Sequence, residues 1–304
     1  LLVIYIFKFI KYDVSKKDYL VFFIIIVFMM LFRNNGVYIL LLVVPFMIIA
    51  LKDKRIGLSI VLVLSILTYV GYNKTLTYFE ITGTSVREAL SIPFQQTARL
   101  VKYKDEVITS EDKKIIDVIL DYDSLAERYD PNLSDGVKNK FNKYATSEDL
   151  TQYFMVWFKY LIKEPIIYID ATLNNIYGYF YPNTAQWYIY NNYNTKLEEA
   201  GFNYHFNDLD LIREGLSAFG NAFPRIPFLG LIVNIGFTTW LYLFLLCVCI
   251  LNKNKKYIFT LMPSFVLLLT CVAGPANTYF RYILPLTFTL PVIIPLLYKQ
   301  IIHR

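Results

Sequence analysis

Charged residues divide the chain into long uncharged stretches near its two ends and short, mixed ones in its middle. The long stretches are Tyr19–Phe32, Asn34–Leu51, Ile56–Asn73, Ile226–Asn252, Tyr257–Phe280 and Tyr282–Tyr298, of 14, 18, 18, 27, 24 and 17 residues. A helix that crosses a bilayer needs about 20 apolar residues, with a range of roughly 17–25. All but the first are long enough. At about 1.5 Å per residue, the first covers only ~21 Å of a ~30 Å hydrocarbon core. Leu1–Ile10 reads as the tail of one more span, and the start inside an apolar run without Met suggests a fragment or a processed chain. The pattern predicts an all-α polytopic membrane protein with about six full transmembrane helices plus a truncated first one. Its segments are N-terminal transmembrane helices over 1–73, a mostly helical extracytoplasmic domain over 74–225 and C-terminal transmembrane helices over 226–304.

The middle segment reads as helices joined by loops. Ser91 is placed to cap a helix that opens with Ile92-Pro93, since proline is tolerated in a first turn. Thr109 and Asp112 form a capping-box pattern ahead of Ile115, Ile116 and Ile119. Ser134 or Asp135 can start a helix through Lys143, and Ser147 a longer one that Pro165 interrupts. Tyr168–Tyr204 is dense in tyrosine and holds Trp187. Such rings either stack on sugars or sit at the headgroup level and in a protein core.

Charge adds an orientation. The block Tyr72–Arg225 holds 16 basic and 21 acidic residues, for a net charge of −5. The flanks hold 14 basic and 3 acidic residues, so the overall +6 conceals +11 in the apolar segments. A uniform +6 would suit nucleic acid, but this distribution points to membrane lipids and to no nucleic-acid partner. Lys11, Lys16, Lys17, Lys52, Lys54, Arg55, Lys253, Lys255, Lys256, Lys299 and Arg304 fall in alternate short loops. Lysine and arginine favour cytoplasmic loops. The C-terminus is therefore expected in the cytoplasm, and residues 74–225 outside it, in a bacterial plasma membrane. Abundant Ile, Lys, Asn and Tyr fit an AT-rich bacterial genome.

Familiar catalytic patterns are absent. There is no glycine-rich phosphate loop, no His/Cys metal spacing and no serine-nucleophile elbow. His205 and His303 are the only histidines, which excludes a His-rich metal site in this chain. Cys247, Cys249 and Cys271 fall in predicted spans and read as small membrane-buried hydrophobes.

Two arginines break the orientation rule. Arg33 precedes Asn34, Asn35 and Gly36 in a turn too short to leave the interface. Arg281 closes Gly274-Pro-Ala-Asn277-Thr-Tyr-Phe-Arg281, also at the outer edge. They either snorkel to headgroups and stop their helices or hold a phosphate, whose oxygens suit the planar guanidinium fork.

Phe32-Arg-Asn-Asn-Gly36, Arg87-Glu-Ala-Leu-Ser-Ile-Pro-Phe-Gln-Gln96, Tyr177-Gly-Tyr-Phe-Tyr-Pro182 and Gly274–Pro285 resemble segments of a family of poorly characterised polytopic proteins from Gram-positive bacteria. That family is usually described as glycosyltransferase-like, with a layout similar to C-class transferases. Those enzymes use polyprenyl-phosphate sugars on the outer face. The resemblance implies a lipid-linked sugar donor and an acceptor in the cell envelope. It places the main catalytic acid in a first outer loop, upstream of this chain. Arg33 and Arg281 become candidates for the donor phosphate, supported by the amides of Asn34, Asn35 and Asn277. Arg87, Gln95 and Gln96 become cleft candidates. Glu88 is a candidate general base, or else a partner of Arg87. A divalent metal is an optional cofactor, with no metal ligands assigned.

A second reading stands beside the enzyme: a non-catalytic membrane protein, such as a lipid-linked glycan transporter or an envelope assembly partner. Transporters often carry internal repeats and ionisable residues at mid-membrane. No repeat is visible, and no acidic residue lies within a counted span.

Overall fold

The computed structural model of the protein describes residues 1–33, 35–81, 86–183, 201, 210–252, 255–274 and 279–302. Asn34, Trp187, His205, Asn277 and His303 lie outside them. The described residues form an all-helical structure without strands, apart from one isolated bridge between Leu120 and Phe141.

Helices stand at each uncharged stretch: α1 (Leu2–Lys11), α2 (Lys16–Phe32), α3 (Gly36–Ala50) and α4 (Arg55–Tyr78). Among the described residues, three helices are long and apolar enough to cross a membrane: Arg55–Tyr78, Lys255–Ala273 and Phe280–Tyr298. Gly36–Ala50 and Ile235–Leu251 are apolar but shorter. The stretch Ile226–Asn252 is not one long helix. Its first residues form short 3-10 turns, and the helix starts at Ile235, where the Asn234 side chain caps the Phe237 N–H at 2.7 Å.

The middle segment supplies α5 (Val86–Ala89), α6 (Ser91–Lys104), α7 (Ser110–Ile119), α8 (Tyr122–Arg128), α9 (Asp135–Lys138), α10 (Ser147–Lys163), α11 (Pro165–Ile176) and α12 (Asp210–Ala222). Three apolar helices close the chain: α13 (Ile235–Leu251), α14 (Ile258–Ala273) and α15 (Phe280–Ile302).

Two hydrophobic cores result. The first joins α1–α4 with α13–α15, and α14 packs on α1, α3, α13 and α15. It is almost wholly aliphatic and aromatic, with polar ties such as the Tyr242 hydroxyl, 3.0 Å from the Leu286 carbonyl. The second is built around α6, which packs on α8, α9 and α11 and buries Phe94, Ala98, Leu100 and Val101. Tyr153, Tyr160 and Tyr168 lie in it, so the start of the tyrosine-rich run serves packing. The two cores meet at Tyr177–Pro182. Trp240 on α13 donates its indole N–H to the Phe180 carbonyl at 2.7 Å, and the Asn234 amide bonds the Pro182 carbonyl.

The helix starts follow hydrogen-bond supply. Thr109 caps α7 by accepting from the Asp112 N–H at 3.2 Å, as its pattern predicts. The cap of α10 is Thr146, one residue before Ser147, because Asp149 can then bond the Thr146 N–H in return. Ser91 is the first residue of α6 rather than its cap, and its hydroxyl bonds the Glu88 carbonyl. The helix expected through Lys143 stops at Lys138, where Phe141 leaves to bridge Leu120. Pro165 ends α10 and opens α11, where its missing N–H has no helical partner to lose.

Candidate functional site

The apolar bundle has two charged ends of different construction. At one end the Lys54 ammonium, carried on the turn before α4, donates to the carbonyls of Phe9 and Tyr12, both at 2.7 Å. These are orphan carbonyls at the close of α1, where a cation also suits the helix dipole. Lys8 pairs with Asp18 at 2.5 Å. The Phe7 ring stacks on Tyr257 at 5.7 Å, which brings the Lys255–Lys256 turn to the same end. Lys11, Lys16, Lys17, Lys52 and Arg55 lie on these same helix ends.

Arg33 and Arg281 stand at the other end. Arg33 follows the last turn of α2, and its carbonyl accepts from the Gly36 N–H at 2.8 Å. Gly36 is required there: a Cβ would lie 2.6 Å from the Met29 carbonyl oxygen. Arg281 sits in the first turn of α15. Although far apart in sequence, the two guanidiniums converge on one ring. The central carbon of Arg33 is 5.2 Å from the Tyr282 centroid, and that of Arg281 is 4.9 Å from it. Arg281 also lies 5.1 Å from the Tyr279 ring and donates to the Tyr282 hydroxyl at 3.0 Å. Among the described residues neither guanidinium forms an ion pair with a carboxylate. Asn35 donates its amide to Thr270 on α14 at 3.1 Å, tying the Arg33 turn to the bundle. Asn34 and Asn277 flank the cluster in sequence but lie outside the described residues.

The middle domain reaches this end through α9. Lys138 pairs with Glu88 and with Asp135, each at 2.7 Å. Burial works against the Lys138 charge, yet the Asp135 and Glu88 carboxylates outweigh it and hold the ammonium above its ordinary range. Burial raises the Tyr279 hydroxyl, with Asp135 adding to the shift and the charges of Arg281 and Lys138 opposing it. Tyr279 therefore stays a neutral donor at pH 7. Tyr179, from the segment that joins the two cores, is buried beside the cluster. Burial raises its hydroxyl, and the neighbouring Cys271 and Tyr282 add to the effect.

Not every predicted site residue comes to this cluster. Glu88 is held by Arg87 at 3.3 Å as well as by Lys138, so it lies at the margin as a paired acid. Gln95 and Gln96 are not cleft residues: they are 1% and 7% exposed, inside the second core. The Gln95 amide donates to the Asp130 carbonyl at 2.8 Å. Gln96 donates to Thr172 at 2.9 Å and accepts from the Trp157 indole at 3.0 Å. Both serve packing because α6 is the central helix of that domain. Cys249 and Cys271 are buried as expected, but Cys247 is exposed. Tyr282, Tyr279 and Lys138 carry no sequence-level assignment. The one available signal was the tyrosine pair flanking Phe280-Arg281.

Chemically, the cluster offers two permanent cations, a phenol donor and no described counter-anion, which is an arrangement suited to an anion with several oxygens. Among the described residues no group of three or more His, Cys, Asp or Glu side chains is placed to hold a metal ion. No curated protein and no solved structure matches the chain. A model of a family of unknown function, DUF6020, matches residues 6–300, and the chain belongs to that family.

Proposed function

We propose that the protein is a multi-pass plasma-membrane protein of the bacterial cell envelope that binds the phosphate of a lipid-linked sugar at Arg33 and Arg281. The convergence of these two guanidiniums on Tyr282, without a described carboxylate, carries this reading. The construction of the bundle ends supports an orientation. The lysine-rich turns gather at one end, as cytoplasmic loops do, and the arginine cluster stands at the other. On this reading the apolar lengths of α2 (from Tyr19), α3, α4 and α13–α15 are the six spans, with Lys16, Lys17 and Asp18 outside them, and residues 74–225 form an extracytoplasmic domain. The shorter helices cross where the bilayer thins or their polar flanks snorkel.

The activity proposed is transfer of the sugar to a cell-envelope acceptor, with the layout of a C-class glycosyltransferase. An acceptor hydroxyl oxygen attacks the anomeric carbon, and the bond from that carbon to the phosphate oxygen breaks. The lipid phosphate leaves with the electron pair. Arg33 and Arg281 stabilise the charge that grows on it, the role in which preorganised cations lower a barrier most. The acceptor proton passes to a carboxylate, for which Glu88 is the candidate on this chain once Lys138 releases it. A divalent metal, if used, would add to the neutralisation of the phosphate.

The test is turnover of a polyprenyl-phosphate sugar by the full-length protein in vesicles. Arg33→Ala and Arg281→Ala should each lower donor affinity and turnover. Unchanged values in both variants would remove the phosphate role.

One observation favours the alternative, a non-catalytic glycan transporter or assembly partner. Glu88 is committed to two ion pairs and is not poised as a base. Donor binding without sugar transfer by the full-length protein would select that alternative.

A further inference from the structure

Helix α12 leaves an apolar face uncovered. Ile212, Leu216 and Phe219 recur at steps of four and three along one face, and each is more than half exposed. Leu211 beside them is also exposed. Arg213, Ser217 and Gly220, about a quarter-turn round the helix, are less exposed, and Glu214 and Asn221 on the opposite face are exposed as well. An amphipathic helix in water places its apolar stripe against the core and its charged face in solvent. Here the apolar side faces outward.

The turn after α12 repeats the theme by different means. Gly230 donates its N–H to the Ile226 carbonyl at 2.8 Å, and a Cβ on Gly230 would lie 2.1 Å from the Pro224 carbonyl oxygen. The chain is folded back tightly, and Phe228 at its tip has φ 63°, a conformation side chains rarely adopt. That phenylalanine is 87% exposed. Leu229 and Ile232 are exposed beside it, and the apolar surface continues onto α13 through Phe237, Trp240 and Phe244.

We propose that residues 210–233 form an interfacial anchor. On this assignment α12 lies along the bilayer surface, with Ile212, Leu216 and Phe219 among the upper acyl chains and Phe228 inserted as a second wedge. A helix with one strongly apolar face, a polar face opposite and low net hydrophobicity binds membranes in this way, largely through its buried apolar area. The occupant is lipid rather than protein because the 229–233 turn packs on α13, one of the apolar helices of the bundle, which leaves Phe237, Trp240 and Phe244 exposed in the same way. The inference rests on the reading of the bundle as membrane-embedded. It adds a fixed hold on the middle domain beside the arginine cluster.

The experiment uses the unmodified full chain in phosphatidylcholine–phosphatidylglycerol vesicles. Photoactivatable phospholipids carry the reactive group either near the headgroup or at the chain end, and the attachment sites are mapped by peptide mass spectrometry. The shallow probe should label peptides over Ile212–Phe219 and Phe228 several-fold more than the deep probe does. The deep probe should label the middle of α4, around Leu64. Labelling of α4 without labelling of 210–233 would overturn the anchor while leaving the membrane bundle intact. If 210–233 were shielded from both probes and the chain formed a concentration-dependent dimer, the face would belong to a second copy, again overturning the proposal. Failure to label α4 would remove the membrane reading and the anchor together.

Discussion

Both ends of the bundle hold cations and treat them differently. At the lysine end each tie is closed: Lys54 caps two carbonyls of α1, and Lys8 meets Asp18. At the arginine end the cations meet aromatic rings, and among the described residues no carboxylate answers them. A cation used for folding is satisfied within the fold. Two cations held close without an anion repel each other, and the fold keeps them only weakly through ring contacts. The first arrangement stabilises the chain, whereas the second is ready for a ligand that brings the missing charge.

The largest expected effect separates the two ends most sharply. Arg33→Ala combined with Arg281→Ala removes both cations from the cluster. Charge-assisted hydrogen bonds contribute about 1.5–3 kcal/mol each, so donor affinity should fall about 100-fold or more. Thermal stability in detergent should fall much less than donor affinity, because each exposed cation–π contact contributes only about 0.5–1 kcal/mol and relief of the repulsion between the two cations offsets part of that loss. A large loss of stability with intact donor binding would invert the comparison. The complementary change is Lys54→Met at the other end. It removes two bonds of 2.7 Å to helix-end carbonyls, and unfolding stability should drop by about 1.5–3 kcal/mol for each. Donor affinity should be unaffected.

How much of this could be read beforehand differs by level. Helix positions follow from uncharged runs because the physics is local: a run of apolar residues between charges must be buried or lie in lipid. Caps such as Thr109 are legible for the same reason, since Asp112 is only three residues away. Arg33 and Arg281 stood out by breaking a charge rule. Their convergence on Tyr282 could not be seen, because it depends on how α2, α14 and α15 pack. Gln95 and Gln96 went wrong in the opposite direction. Their polarity suggested a cleft, but two buried amides with bonds to the Asp130 carbonyl, Thr172 and Trp157 fit a core equally well. Only the position of α6 between its neighbours decides between the two.

A smaller effect isolates the ring. Tyr282→Phe keeps the aromatic face below both guanidiniums and removes only the hydroxyl that accepts from Arg281. Donor affinity should fall a few-fold, the size of one modest hydrogen bond of about 1 kcal/mol. Tyr282→Leu removes the face as well and should weaken binding further, by about 0.5–2 kcal/mol for the lost cation–π contacts. Equal behaviour of the two variants in a donor titration would mean that the ring does not position the arginines.

The smallest effect is the part of the pH dependence that Asp18 contributes at the lysine end. Asp18 accepts from Lys8 and from the Ser15 N–H, in that order of weight, and its carboxyl is held down at about 2. An unperturbed aspartate titrates at about 3.9. The folded form thus binds its proton more weakly than the unfolded chain does. Stability from this pair is complete above the unfolded value and is lost as pH falls from there through about 2. Thermal unfolding of the full chain in detergent, followed between pH 5 and pH 2, should show an acid-side decline that Asp18→Asn reduces. An unchanged slope in that variant would mean that Asp18 is not held by Lys8 in solution, and the claim that the lysine end is internally satisfied would lose its clearest support.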